Sequence, residues 1–429
     1  MKILITGATG FIGSHLTRAL LQAGHEVTVC VRNPAAAEQH WPGITAIPGN
    51  FQTDHRSADW APRVTGVDVV INAVGIIREQ GKNRFDAIHT QAPIALFKAS
   101  AAAQVKKIIQ ISALGADDSA FSHYHLSKKA ADDLLTSLQP DWLILQPSIV
   151  YGPGAKSMGL FKALACLPVI PLIEQGDQPI QPIHISDLIR AVMECIRPTG
   201  PRNRRIALVG PAPVTMKTLY EQLGAWLGRG RRRFVSLPYR MALQLARWGG
   251  FMGATPLTPE AITMLQRGNT GDVGEYQAAF NHTPISLADA LAETPAQTAD
   301  RWYAGLYFLP PLIRFSIAFV WLFTGVISAW VIPLEYSYAL LERAHISGML
   351  APIMLYGAAT TDILLGIAVL ARYRVSLLGY AQILLILIYS AIITATQPEQ
   401  WLHPFGPVSK NVPLIATILV MMILEKNHD

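Results

Sequence analysis

Cysteine and charge are both scarce in this 429-residue sequence. Cys30, Cys166 and Cys195 lie far apart without metal-ligand spacing, so neither a disulfide framework nor a zinc site organises the chain, and no metal ligand set is expected. Charged residues make up 15% against 51% hydrophobic ones, too oily for an ordinary water-soluble enzyme. No nucleic-acid motif is present, and no nucleic-acid partner is expected. The net charge of +6 is modest, and much of it clusters at Arg229, Arg231, Arg232 and Arg233. That cluster suits the anionic face of a membrane at least as well as a nucleic acid. No cleavable signal peptide precedes the first strand pattern, so the N-terminal part is expected to stay in the cytoplasm. The apolar excess is uneven. Up to about Arg301 the chain reads as a soluble α/β protein, and beyond it come apolar runs of membrane length.

What is present is organised around the start. Lys2-Ile3-Leu4-Ile5-Thr6 is a β-type run that stops at Gly7, and amphipathic spacing takes over at Phe11, Ile12, Leu16, Ala19 and Leu20. This predicts a strand, a tight turn and a helix, with Gly7, Thr9, Gly10, Phe11, Ile12 and Gly13 as a dinucleotide-binding turn. Gly7 allows the turn, Gly10 admits a pyrophosphate close to the backbone, and Gly13 lets helix and strand pack. The free N–H groups and the positive helix end would face the phosphates. A second strand, Glu26 to Val31, ends at Arg32, where an NAD site usually places an acid. Arg32 favours NADP(H) over NAD(H), the bland alternative being a solvated arginine.

Asn50 falls in the loop expected to flank the adenine. The run Val67 to Gly75 reads as a buried parallel strand ending in small residues, with Ala73, Val74 and Gly75 leaving room for ribose and nicotinamide. A helix from about Asn83 to Ala103 and a strand Lys107–Ile111 follow, ending at Ser112. Alternating strands and helices predict a doubly wound, Rossmann-like parallel sheet.

Tyr124 and Lys128 stand one turn apart on one helix face. A phenol titrating near 10 is a poor acid–base group at neutral pH, and a neighbouring ammonium lowers that value. Ser112, Tyr124 and Lys128 are the candidate catalytic residues, Ser112 donating to a substrate carbonyl oxygen. The alternative is that Tyr124 and Lys128 only hold the cofactor ribose.

Gly7-Ala8-Thr9-Gly10-Phe11-Ile12-Gly13, Ile71-Asn72-Ala73-Val74-Gly75, Ser112-Ala113-Leu114-Gly115-Ala116 and Tyr124-x-x-Ser127-Lys128 resemble the extended and atypical short-chain dehydrogenase/reductases. The similarity points to the branch that includes the NADPH-binding accessory subunit of respiratory complex I. Gln146-Pro147-Ser148-Ile149-Val150-Tyr151-Gly152-Pro153-Gly154 and Gln181-Pro182-Ile183-His184-Ile185-Ser186-Asp187 belong to the same resemblance, which covers residues 1–295. It implies Tyr124 as acid–base residue, Lys128 as ribose and pKa partner, Ser112 as polarising hydroxyl, Pro147 beside the cofactor, and a substrate lobe over 147–295. Many active members carry an asparagine where this chain has His89-Thr90-Gln91.

After a linker over 296–310, residues 311–429 carry four apolar stretches, roughly Leu312–Ile332, Leu350–Ala371, Val375–Thr394 and Val412–Leu424, the last short for a span. Arg372 and Arg374 between the second and third obey the positive-inside rule. Trp321-x-x-Thr324-Gly325, Pro352-x-x-x-Tyr356-Gly357 and Trp401-Leu402-His403-Pro404-Phe405-Gly406-Pro407 with Lys410-Asn411 resemble the DoxX-like membrane proteins. The expectation is a four-helix, multi-pass inner-membrane domain with both termini cytoplasmic, the chain ending at Glu425-Lys426-Asn427-His428-Asp429. Asp362, an acid inside the second span, is a functional candidate. Pro238 to Trp248 reads as a membrane-surface helix or as a core helix of the lobe.

Taken together these features predict a membrane-anchored NAD(P)-dependent oxidoreductase acting on a quinone or a hydrophobic or lipid-linked carbonyl. A non-catalytic NADPH-binding module of a membrane complex and a nucleotide-sugar epimerase or dehydratase are the alternatives.

Overall fold

A computed structural model describes residues 1–251 and 258–425. The chain divides into two compact units, Met1–Ala304 and Gly305–Asp429.

In the first unit a seven-stranded parallel sheet is built from β1 (Lys2–Thr6), β2 (Glu26–Val31), β3 (Thr45–Pro48), β4 (Val69–Asn72), β5 (Lys107–Ile111), β6 (Asp141–Pro147) and a last strand, Arg204–Leu208. Its spatial order is last strand, β6, β5, β4, β1, β2, β3. The order reverses between β1 and β4, and the carboxyl ends of such strands form the ligand crevice of doubly wound folds. Ile3, Leu4 and Ile5 are all buried, as a central strand covered on both faces requires. Helix α1 (Phe11–Gln22) turns Gly13, Leu16, Thr17 and Leu20 inward. Apolar clusters lie on either side of the sheet, one including Ile5, Leu16 and Leu188, the other Leu4, Trp60 and Leu96.

Beyond Pro147 the chain is interleaved: Arg204–Leu208 and the Ile185–Ile196 helix join the sheet and its cluster, while other segments form a smaller lobe with its own core around Tyr151, Ile170, Leu219 and Leu223. Asp187 lies in the first turn of the Ile185–Ile196 helix, and its carboxylate accepts the Ile285 N–H at 2.9 Å, a structural tie between a sheet-packed helix and the lobe. The stretch expected as a linker over 296–310 is largely helical, with Thr298–Leu306 followed by a helix from Leu309.

Among its described residues the second unit has three helices long and apolar enough to cross a membrane: Leu309–Val331, Leu350–Leu370 and Val375–Thr396. The fourth apolar helix, Asn411–Leu424, has 14 residues. A further helix, Leu334–Arg343, was not among the expected elements. The first two long helices pack closely through glycine. A Cβ on Gly325 would lie 2.8 Å from the Ala359 carbonyl oxygen, and one on Gly366 would lie 2.6 Å from Leu322 Cγ. Residues 426–429, which the topology expectation placed at a cytoplasmic end, lie outside the described residues, as does the Trp248 side chain.

Candidate functional site

The turn after β1 is shaped by backbone proximity. Gly7 has φ +76°, and a Cβ there would sit 2.6 Å from the Ala73 carbonyl carbon. A Cβ on Gly13 would sit 2.0 Å from the Gly7 carbonyl oxygen. The Gly10 N–H closes the turn on that same oxygen at 2.9 Å. No side chain caps α1, so the N–H groups of its first turn stay available to an anion. These features fit a dinucleotide. Thr9 and Gly10 are exposed, and Phe11 and Ile12 are half-buried.

Across the crevice a chain of buried amides fixes the second wall. Thr6 Oγ1 donates to Asn72 Oδ1 at 2.6 Å, and Asn72 Nδ2 donates to Gln110 Oε1 at 2.8 Å. Asn72 Oδ1 also accepts the Val74 N–H at 3.2 Å, which sets the Ala73-Val74-Gly75 turn. Arg32 is exposed just past β2 and enters no ion pair among the described residues. Asn50 is occupied locally: its N–H donates to Asp54 and its Oδ1 accepts the Gln52 N–H at 3.0 Å. Pro147 is buried at the end of β6, its carbonyl accepting the Leu114 N–H at 3.0 Å.

The helix His123–Thr136 brings the candidate residues Tyr124 and Lys128 to this edge. Ser122 caps it, and Glu260 from the lobe accepts the Tyr124 N–H at 3.2 Å. Lys128 is 4% exposed, and its Nζ donates to the Ile111 carbonyl at 3.1 Å. A Cβ on Gly75 would lie 3.4 Å from Lys128 Nζ and 3.7 Å from His89 Nε2, so both converge on the turn after β4. The Tyr124 ring centroid is 5.9 Å from Lys128 Nζ and 5.5 Å from the His89 ring.

One turn beyond Lys128, the fully buried Asp132 accepts a hydrogen bond from the Ser112 hydroxyl. Burial pushes the Asp132 carboxyl up to about 6, against the Ser112 hydrogen bond and the positive charges of Lys128 and Arg205. Burial pulls Lys128 down to about 8, opposed by Asp132. Tyr124 moves upward, through burial first and then the Asp132 charge. The lowering expected from Lys128 is not seen, and the Lys128 ammonium donates instead to the Ile111 carbonyl.

Sequence reasoning missed Asp132, whose only signal was a further i+4 step along the Tyr124–Lys128 face. It treated His89 merely as a departure. His89 is 2% exposed and sits in a π-helical turn, Asp86–Gln91. Its Nε2 accepts the Ile76 N–H at 3.0 Å, which leaves the proton on Nδ1 to donate to Ser127 Oγ at 3.0 Å. Ser127 in turn donates to the Tyr124 carbonyl at 2.8 Å. Burial, helped by the Lys128 charge, holds His89 down at about 2, so it stays neutral and acts as a clamp between the β4 turn and the Tyr124 helix.

In the helical unit Asp362 is 8% exposed, with Thr324 Oγ1 3.4 Å from Oδ2. Its other oxygen has no hydrogen-bond partner among the described residues. Arg314 and Glu425, each 3% exposed, form an ion pair at 2.7 Å. Trp321 Nε1 donates to the fully buried Gln382 at 2.7 Å.

Glycine turn, crevice and sheet order together define a nucleotide-binding α/β domain joined to an apolar helical unit. Residues 7–159 match the NAD(P)H-binding family and residues 318–419 the DoxX-like family. The chain thus combines an NAD(P)-binding Rossmann-like domain with a C-terminal DoxX-like domain. It is 33% identical over 188 residues to a ceramide reductase of Caulobacter vibrioides, a match covering 43% of this chain and 57% of that protein, little more than half its length. It is 25% identical over 260 residues to the mitochondrial NADH dehydrogenase [ubiquinone] 1 alpha subcomplex subunit 9 of Mus musculus, covering 59% of this chain and 68% of the subunit. The NADPH-dependent quinone oxidoreductase of Escherichia coli, solved with NADPH, superposes with a TM-score of 0.55 at 19% identity, over 68% of this chain and 99% of the enzyme. That likeness is one of fold.

Proposed function

We propose that this chain is an NADPH-dependent reductase held at the membrane and acting on a hydrophobic or lipid-linked carbonyl compound, with a quinone as the other substrate class that fits. The observation that carries the reading is the convergence of buried Lys128 and His89 on the Gly75 turn, with the Tyr124 ring beside both, next to the glycine turn of β1. Gly7, Thr9, Gly10, Phe11, Ile12 and Gly13 would hold the pyrophosphate, and Arg32 the 2′-phosphate. Asn50 shapes the adenine-side loop, while Ala73, Val74, Gly75 and Pro147 border the nicotinamide side. When bound, the cofactor supplies the hydride.

Tyr124 gives its proton to the carbonyl oxygen. Burial raises its pKa and makes the phenol a weaker acid than a free tyrosine, so the donor role rests on its position beside Lys128 and His89. Lys128 orients the ribose, and His89 fixes the register of Tyr124 against the Gly75 turn. Ser112 becomes a donor to substrate once Asp132 is protonated, since an ionised Asp132 accepts the hydrogen bond of its hydroxyl. The name of the Caulobacter relative supports a lipid substrate. The Arg372 and Arg374 loop supports a multi-pass inner-membrane placement with both termini cytoplasmic, and Asp362 would serve a polar path inside the bundle.

The second reading, a nucleotide-holding module of a membrane complex, is favoured by the engagement of Ser112 with Asp132 and by the likeness to the mouse subunit. Nucleotide exchange separates the two. The full chain in detergent is loaded with labelled NADPH and chased with unlabelled NADPH or NADH. Rapid release, with NADPH the better competitor, is the expected result. A label retained for hours contradicts turnover and supports the module.

A further inference from the structure

Residues 229–247 hold six arginines, at positions 229, 231, 232, 233, 240 and 247, and no acidic residue. Arg229, Arg231, Arg233, Arg240 and Arg247 are exposed, and none enters an ion pair among the described residues. Among the described residues their positive charge is therefore left without an ion-pair partner at the surface.

The segment is folded around them. Strand Arg233–Leu237 pairs in parallel with Val169–Ile173, Arg233 opposite Val169 and Val235 opposite Pro171. One face of this pair, with Ile170 and Leu172, is buried in the lobe core. On the other face Ile173 and Leu237 pack against Ala242, Ala246 and Ile262. Val169 and Val235 on that second face remain 46% and 50% exposed. The helix Tyr239–Phe251 turns Ala242 and Ala246 inward, leaving Met241 and Leu245, one turn apart, 50% and 54% exposed beside Arg240, Gln244 and Arg247. Packing uses one face of this helix, and a second stripe, aliphatic and cationic, is left over.

We infer that this stripe, with Val169 and Val235, is a docking face for an anionic lipid bilayer. Exposed aliphatic side chains flanked by unpaired arginines match the composition of interfacial helices, which bury the former at the acyl boundary and set the latter among the headgroups. The proposal rests on the membrane reading of the helical unit. A chain anchored by the helix starting at Leu309 keeps this face at high local concentration beside a bilayer, so even weak contacts are occupied. Docking would bring the lobe to the lipid surface from which a hydrophobic substrate is drawn.

The test uses the full chain in nanodiscs, with Cys166→Ser and Gln244→Cys carrying a fluorophore and with lipids brominated in the acyl chains. Entry into the discs checks the membrane reading by itself, and failure to enter removes the tether and the proposal with it. In discs containing phosphatidylglycerol the label is quenched, and quenching is lost in phosphatidylcholine alone. It is also lost when Arg231, Arg233, Arg240 and Arg247 are replaced by Gln in a chain that still enters discs and binds NADPH. An unquenched label in anionic discs overturns the docking, as does quenching indifferent to headgroup or to the arginines. Label burial that follows protein concentration, or added RNA, instead of lipid charge assigns the face to another partner and overturns it equally.

Discussion

Asp132 and Lys128 occupy one buried helix face, and desolvation acts on both against their mutual attraction. In the unfolded chain an aspartate ionises near 3.8, whereas Asp132 in the fold ionises near about 6. Between these values the folded state binds more protons than the unfolded state, so stability falls as pH rises through that window. Asp132→Asn removes this dependence while keeping an acceptor for Ser112. Thermal unfolding of the full chain followed across the window checks it, and an unchanged slope would show that another group carries the effect. Tyr124→Phe should lower kcat by about a hundredfold or more with NADPH binding retained, the size of a lost general acid. Steady-state reduction kinetics beside nucleotide titration reads both. Arg32→Ala should weaken NADPH by about tenfold and leave NADH nearly unchanged, as the loss of one charge-assisted contact predicts. Equal weakening of both nucleotides would return Arg32 to a solvated surface residue.

At the level of elements, the start of α1 was legible because backbone geometry leaves few options. Gly7 and Gly13 press against Ala73 and Gly7 with no space for a Cβ, and their spacing announces this in the sequence. Gly13→Ala therefore forces α1 away from the turn, at about 1–3 kcal/mol for overpacking, and should abolish nucleotide binding before it unfolds the domain. Calorimetric titration beside thermal melting distinguishes those effects. The Tyr124–Lys128 spacing was legible for the same local reason.

Asp132 and His89 were not legible as site members, since their partners, Ser112 and Ile76, are met only when β4, β5 and two helices assemble. The helix Leu334–Arg343 escaped notice because it mixes aromatic, aliphatic and charged residues without a long apolar run. In the helical unit, Glu425→Gln leaves Arg314 buried without its counter-charge and should destabilise the bundle by about 3–5 kcal/mol. The double variant Arg314→Met with Glu425→Leu should recover most of that loss. Detergent-melt midpoints of the single and double variants decide this, and a double variant as unstable as the single would refute it.

For the whole molecule, the composition shift near Arg301 lies close to the boundary between Ala304 and Gly305. Sheet order and register, in contrast, follow from long-range pairing that no local pattern specifies. The proposed reductase joins an NAD(P)-binding domain to a DoxX-like domain, and hydride transfer to a lipid carbonyl is its central claim. The most direct test is isotope transfer. NADPH deuterated at the transferring position of its nicotinamide is given to the full chain in nanodiscs together with a long-chain lipid ketone. Mass spectrometry of the recovered lipid should find deuterium on the new carbinol carbon, and Tyr124→Phe should slow its appearance by about a hundredfold or more while nucleotide stays bound. Deuterium remaining entirely on the nucleotide, with ketones and quinones alike and the wild-type chain fully loaded, would contradict the reductase and leave a domain that holds NADPH without spending it.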